Sequence, residues 1–107
     1  MQVPKPERKR RKAEPVTKIR LQDKKECFVT HSTASLTRHH IFYGPLRKKS
    51  EKFGLVVWLR ADWHNTSNYG VHFNPALDKY LKKIAQKAFE GVYGHEKFMT
   101  EFGRNYL

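Results

Sequence analysis

An apolar stripe of helical period near the C-terminal end of the sequence constrains the fold most strongly. Between positions 77 and 89, apolar side chains recur every three or four residues: Leu77, Tyr80, Leu81, Ile84, Ala85, Ala88 and Phe89. This spacing places them on one face of an α-helix. Asn74 is a favoured N-cap residue, Pro75 suits the first helical position, and Gly91 or Gly94 can end the helix. The core must therefore be built around one long helix.

Shorter apolar runs on either side of that helix predict the remaining elements. A second, short helix over about residues 95–102 would dock through Phe98, Met99 and Phe102. Residues 55–59 form a continuous apolar run that is typical of a buried strand. Residues 36–43 predict another strand, ended by Gly44 and Pro45, and the weaker alternation of residues 17–30 predicts a third. The charged residues 46–54 are interpreted as a loop, so the whole pattern predicts an α+β fold.

The composition limits the size of the core and the kind of partner. The chain has 107 residues, of which 38% are hydrophobic, so it supports one domain with a small core. Lys and Arg number 22 against 10 for Asp and Glu, and this excess indicates a polyanionic partner, nucleic acid before membrane. No apolar run approaches the roughly 18 residues of a membrane span, and no signal-peptide pattern follows Met1. The single Cys27 excludes an intrachain disulfide framework and suits the reducing cytoplasm.

Residues 1–16 differ in composition from the rest of the chain. They contain three prolines, almost no apolar side chains and a basic run: Arg8, Lys9, Arg10, Arg11 and Lys12. Such a segment is predicted to be a disordered basic arm that serves either as a solubilising tail or as a phosphate-binding arm. Residues 17–107 are then the folded domain.

Four histidines fall in the middle of this domain, at His39, His40, His64 and His72. A strand pair followed by a helix can bring these positions to one point. Histidine is a common metal ligand and, with a pKa near neutrality, a suitable general base. Phosphodiester hydrolysis uses both roles, together with a basic surface that holds the substrate. Because side chains alternate along a strand, the adjacent pair reaches one site only if the strand twists or ends there. Otherwise one of the two is partly buried and the other solvated.

The sequence RHHIFYGPLRKKSEKFGLVVWLRADWHNTSNYGVHFN resembles the HNH, or ββα-metal, endonucleases. It is most similar to small phage-encoded HNH nucleases, with a related branch of recombination-enhancement nucleases that act with the host recombinase. The shared pieces are HHIF-G, RKKSEK-G, VHFN and the ending FGRNYL, over about residues 25–107. The resemblance implies a ββα-metal core and metal-dependent cleavage of DNA in the bacterial cytoplasm.

The resemblance also implies residue roles. His40 matches the general base, and the metal ligands would be His39, His64 and His72. Asn65 and Asn74 would orient a histidine or a water. Backbone phosphates would be gripped by basic side chains around the site, in addition to the arm: Arg38, Arg47, Lys48, Lys49 and Lys52. One divalent cation is expected, Mg²⁺ or Mn²⁺, with Zn²⁺ or Ni²⁺ as substitutes in a crystal.

The sequence departs from the family pattern at two places. Relatives carry two C-x-x-C pairs for a structural zinc, but here the matching segments are residues 27–30 and 60–63, which hold Cys27 alone. No structural zinc is therefore expected, and Trp63 and its neighbours are predicted to replace it by apolar packing. Leu46 stands where relatives have the asparagine that pins the loop against the catalytic strand.

These observations predict a DNA endonuclease, and two alternatives stay open. One is a basic nucleic-acid-binding protein on an HNH scaffold without catalysis. The other is a structural metal protein, in which four protein ligands would close the coordination shell.

Overall fold

The computed structural model describes residues 16–107, so the predicted basic arm, apart from Val16, lies outside the described residues. The sheet has two antiparallel strands, β1 (Leu36–His40) and β2 (Val56–Arg60). His39 lies opposite Val57 and His40 lies opposite Val56. β1 falls within the predicted run 36–43, and β2 is shifted by one residue from the predicted run 55–59, so that it includes Arg60.

Within residues 16–107, four α-helices accompany this sheet and give an α+β fold. They are α1 (Arg47–Phe53), α2 (Ala61–His64), α3 (Pro75–Tyr93) and α4 (His95–Phe102). Two single 3₁₀ turns, Gly44–Leu46 and Val71–Phe73, precede α1 and α3. None of the helices in this part of the chain has the length and apolar character needed to cross a membrane.

The long helix α3 begins and ends as predicted. The Asn74 side chain accepts a hydrogen bond of 3.1 Å from the Leu77 N–H, and Pro75 is the first helical residue. Of the predicted apolar stripe, Leu81, Ala85 and Phe89 are buried. Tyr80 is 57% exposed, so its assignment to the core was wrong.

Buried Gln86 shifts the inward face of α3 away from Tyr80. The Gln86 Nε2 group donates to the Asn105 side chain at 2.7 Å, and Gln86 Oε1 accepts from the Tyr106 N–H at 2.7 Å. The C-terminal segment therefore covers the polar side of α3, and a glutamine is buried there because all its partners are supplied.

An aromatic cluster joins α1, α3 and α4. Its buried members are Phe42, Phe53, Phe89, Phe98 and Phe102, with ring centroids 4.6–6.2 Å apart in the contacting pairs. The predicted docking face of the short helix is confirmed, since Phe98 and Phe102 are buried and Met99 packs against the core. Tilted and edge-on rings of this kind add to the stabilisation from burial.

Residues 46–54 contain helix α1, so the prediction of a loop there was wrong. The segment is rich in Arg, Lys and Glu, which favour helices, and its Ser50 and Phe53 side chains are buried on one side. Gly54 ends the helix with a φ of 80°, and a Cβ atom there would lie 2.2 Å from the Ile19 carbonyl oxygen. Glycine is therefore required for this turn.

Residues 17–30 do not form the predicted third strand. They cross the outer edge of β2 and bond to it at single points. The Trp58 N–H donates to the Gln22 side chain at 2.7 Å, and the Phe28 N–H donates to the Trp58 carbonyl at 2.9 Å. Because a side chain makes one of these bonds, no ladder of backbone pairs can form.

Candidate metal centre

Three histidines from separate elements meet beside the sheet. His39 lies on β1, His64 ends α2, and His72 lies in the 3₁₀ turn before α3. The ring centroids of His39 are 5.2 Å from His64 and 5.1 Å from His72, and the latter two are 4.7 Å apart. One ring nitrogen from each lies within 4.8 Å of the others, which is close enough to hold a metal ion. Among residues 16–107, no other group of His, Cys, Asp and Glu has such spacing.

The chain between His64 and His72 turns back on itself to make this approach. Buried Gly70 packs on the backbone at the end of α2, where a Cβ atom would lie 2.7 Å from the His64 carbonyl oxygen. Only glycine permits this contact, and the turn that follows it carries His72 toward His64.

His39 is the buried member of the cluster, with 1% of its surface exposed. Its Nε2 atom is buried and has no hydrogen-bond partner among the described residues. Burial, followed by the charges of His64 and His72, lowers the pKa of His39 from 6.5 to about 3. The neutral ring that results is the form that binds a metal. A buried polar nitrogen without a partner is costly, and a bound ion would supply the missing partner.

Thr37 fixes the tautomer of His64. The Thr37 hydroxyl donates its hydrogen to the Leu59 carbonyl at 3.0 Å, and the same oxygen lies 3.0 Å from His64 Nδ1. A hydroxyl has one hydrogen, so His64 Nδ1 must donate. The neutral His64 ring therefore carries its lone pair on Nε2, the nitrogen that faces the cluster. Such outer partners orient metal ligands and set their tautomer.

The remaining contact of the cluster joins His64 Nε2 and His72 Nε2 at 3.0 Å. Because His64 Nε2 carries the lone pair, a hydrogen bond between the two atoms must be donated by His72. Burial, followed by the neighbouring His72 and His40, also lowers the pKa of His64. Both findings favour an uncharged His64.

His40 lies beside the cluster because β1 ends at this residue. A cavity of about 220 Å³ is lined by all four histidines together with Arg38, Arg47 and Tyr43. The adjacent pair His39 and His40 thus lines one cavity. Of the two possibilities considered from the sequence, a twist or an end of the strand at this point, the strand end is the one observed.

Glu51 on α1 is the partner of His40, and the sequence interpretation missed it. His40 Nε2 lies 2.8 Å from Glu51 Oε1, and Arg38 donates to the other carboxylate oxygen at 2.9 Å. The hydrogen bond with His40, followed by Arg38 and Lys18, outweighs partial burial and lowers the pKa of Glu51. The ionised carboxylate must accept from Nε2–H, so a neutral His40 carries its lone pair on Nδ1. A signal was present, since Glu51 is the one acid in residues 46–54.

Ser50 holds α1 against the residues that follow β1. Its buried hydroxyl donates to the Phe42 carbonyl at 2.7 Å and accepts from the Phe42 N–H at 2.9 Å. Leu46, which stands where the family pattern has asparagine, is partly buried against the core. The connection between α1 and the histidine strand is therefore made by Ser50 and Glu51.

The five basic residues predicted to bind phosphates near the site divide into three groups. Arg38 and Arg47 line the cavity, and exposed Lys48 and Lys52 lie on α1. Lys49 donates to the Glu101 carbonyl at 2.8 Å and so ties α1 to α4 instead.

Within residues 16–107, neither of the two asparagines predicted to support the site forms a hydrogen bond with a histidine. The Asn74 side chain caps α3 and donates to the Tyr69 carbonyl, and Asn65 follows α2 in an exposed position. The predicted basic residues 8–12 lie outside the described part of the chain.

Cys27, the single cysteine of the segments 27–30 and 60–63, is fully buried. Burial tends to raise the pKa of its thiol, but hydrogen bonds from Thr30 and the backbone of Arg60 outweigh it and lower the pKa. Trp63 packs against the core, as predicted, with its ring 4.8 Å from that of Tyr69. The neighbours are not all apolar, because Arg60 and Tyr69 both donate to the Asp62 carboxylate.

No family model, curated protein or solved structure matches this chain. The resemblance to HNH endonucleases therefore stays a prediction.

Proposed function

We propose that the protein is a metal-dependent phosphodiester hydrolase. More specifically, we propose that it is a DNA endonuclease of the HNH type. The observation that supports this most strongly is the meeting of three histidine nitrogens beside a fourth, carboxylate-bound histidine in one cavity. The cluster fits a metal, because the buried Nε2 atom of His39 has no hydrogen-bond partner within residues 16–107.

The donor set favours a catalytic ion over a structural one. Three protein nitrogens leave a coordination position open, whereas a structural zinc site is closed by four protein ligands. Imidazole suits transition metals, while Mg²⁺ prefers oxygen. We therefore favour Mn²⁺, Ni²⁺ or Zn²⁺ over Mg²⁺, which departs from the expectation of Mg²⁺ or Mn²⁺ drawn from the sequence. A divalent ion held by His39, His64 and His72 would stabilise the negative charge that develops on the phosphate.

His40 is the proposed general base. Its Nε2–H is donated to Glu51, so the lone pair on Nδ1 is free to take the proton of the attacking water. The carboxylate orients the ring and stabilises the imidazolium that forms when the proton arrives. Arg38 and Arg47 line the same cavity and supply positive charge for the phosphate.

The resemblance extends this proposal to the biological setting. The substrate would be DNA in the cytoplasm of a bacterial host, the source would be a phage or prophage, and a host recombinase would be a partner.

Plasmid nicking tests the proposal. Wild type, His40→Ala and the control His95→Ala are compared with Mg²⁺, Mn²⁺, Ni²⁺ and Zn²⁺. His95 lies outside the cavity, where it bonds to Glu90 at 2.6 Å. Wild type and the control should nick with at least one metal, and His40→Ala should be about 10²- to 10⁴-fold slower. Equal rates for His40→Ala and wild type would remove the general base.

The second candidate function is a nucleic-acid-binding protein without catalysis. The net charge of +12 favours it, since charge alone supports salt-dependent binding to a polyanion. Wild-type protein that binds DNA but nicks with none of the four metals would establish this alternative.

A further inference from the structure

A larger cavity, of about 430 Å³, shares Arg38 with the histidine cavity and has no role in the chemistry proposed above. It lies between the segment that crosses the edge of β2 and the sheet face that carries Arg38 and Trp58. Its basic lining residues are all exposed: Lys18, Arg20, Lys24, Lys25 and Arg38. Asp23 is the single acid among its lining residues, so the groove has a strong excess of positive charge.

One residue, Arg38, is common to the groove and to the cavity that the histidines line. This residue directly precedes His39 in β1. Its guanidinium donates to Glu51 at 2.9 Å, which fixes its orientation. A guanidinium has five N–H donors, so a phosphate can still be bound at the boundary between the two cavities.

The walls of the groove are held in place by contacts with the core. Buried Ile19 donates its N–H to the Phe53 carbonyl at 2.8 Å, and Gln22 accepts from the Trp58 N–H. The ammonium group of Lys25 lies 4.5 Å from the centre of the Trp58 ring. These contacts hold the segment that carries the basic side chains against the core, whereas lysines in an unstructured segment would have no fixed arrangement.

We propose that this groove binds the sugar–phosphate backbone of a nucleic-acid strand as it enters the metal centre. The inference rests on the proposed function, which it deepens by naming the surface that holds the substrate. The contacts are independent of base sequence, because phosphates carry the same charge at every step. Each phosphate that a lysine or arginine neutralises releases counterions, so binding must weaken steeply with salt.

The test measures the affinity for a short labelled DNA duplex by fluorescence anisotropy, with EDTA present so that no cleavage occurs. The groove variant carries Arg20→Gln, Lys24→Gln and Lys25→Gln. Lys18 is retained because it lies 3.9 Å from Glu51. The control variant loses the same charge from the exposed side of α3, through Lys79→Gln, Lys83→Gln and Lys87→Gln.

The groove variant should show a shallower dependence of log K on log salt, by about 0.9 for each phosphate contact that is lost. The control should keep the wild-type slope. Equal changes in the two variants would overturn the proposal, because net charge alone would then account for them. Should the groove variant unfold by circular dichroism, Arg20→Gln alone should still reduce the slope by about 0.9.

Nicking assays separate this inference from the proposed function. If wild type nicks with none of the metals but the groove variant alone loses affinity, the enzyme proposal fails and the groove stands. If wild type nicks and the groove variant binds and nicks equally well, the groove proposal fails and the enzyme stands.

Discussion

Acidification should destabilise the metal-free protein through His39. Burial of this ring lowers its pKa in the folded state from 6.5 to about 3, while the unfolded chain keeps the ordinary value. Between these two values the unfolded state binds the additional proton, so the free energy of unfolding rises with pH. The contribution of neutral His39 to the free energy of unfolding is fully present above about pH 6.5, and it is progressively lost as the pH falls toward 3.

The size of the effect follows from the distance to the unfolded-state pKa. A pH of about 5 lies roughly 1.5 units below the pKa of the unfolded histidine, whereas folded His39 is still neutral there. The free energy of unfolding should therefore be lower by about 2 kcal/mol at pH 5. Urea denaturation with EDTA, at pH 7 and pH 5, measures this difference. For a small domain, about 2 kcal/mol is a large part of the total stability.

Two variants identify the source of the pH dependence. His39→Asn removes the titrating group, so most of the loss between pH 7 and pH 5 should disappear. Ile41→Val truncates a buried neighbour and should cost about 0.5–1.5 kcal/mol at both pH values, with the difference between them unchanged. A wild-type protein of equal stability at the two pH values would refute the reasoning, as would a His39→Asn variant with the full wild-type dependence.

Two further substitutions test contacts made by α1. Glu51→Gln should slow nicking by about 10- to 100-fold, because a neutral amide cannot stabilise the His40 imidazolium. Isothermal titration should show unchanged Ni²⁺ affinity, and a parallel loss of affinity would instead place Glu51 in the metal site. Gly54→Ala should lower the free energy of unfolding by at least about 2 kcal/mol, since it combines a positive φ with a clash against Ile19. Gly91→Ala, in α3 with no atom within 4 Å of its added Cβ, should be neutral or stabilising in the same urea measurement, and equal losses would contradict the clash.

The parts of the fold that the sequence predicts are those determined by local pattern. The apolar stripe and the Asn74–Pro75 cap specify α3 without reference to any other element. The order of elements also predicts that the four histidines of the middle region meet, and three of them, His39, His64 and His72, do so within 4.8 Å. The choice of these three as metal ligands came from the resemblance and not from the order of elements.

The parts that the sequence does not predict depend on contacts between distant residues. Tyr80 belongs to the apolar stripe and Gln86 does not, and only the position of the C-terminal segment decides that Gln86 is buried while Tyr80 is exposed. Helix α1 has seven residues and little apolar character, so its hydrophobic pattern is too short to read. Residues 17–30 bond to β2 partly through Gln22, a contact that no periodicity reveals.

The hydrogen shared between His64 and His72 has a consequence for metal loading. That hydrogen occupies Nε2 of His72, a nitrogen that faces the His64 ring. Coordination through this atom requires the proton to leave it and the imidazole to adopt its other tautomer. Since His72 is exposed, solvent can carry the proton from one ring nitrogen to the other. Binding of an ion by the proposed centre would therefore include the transfer of a proton between the two ring nitrogens of His72.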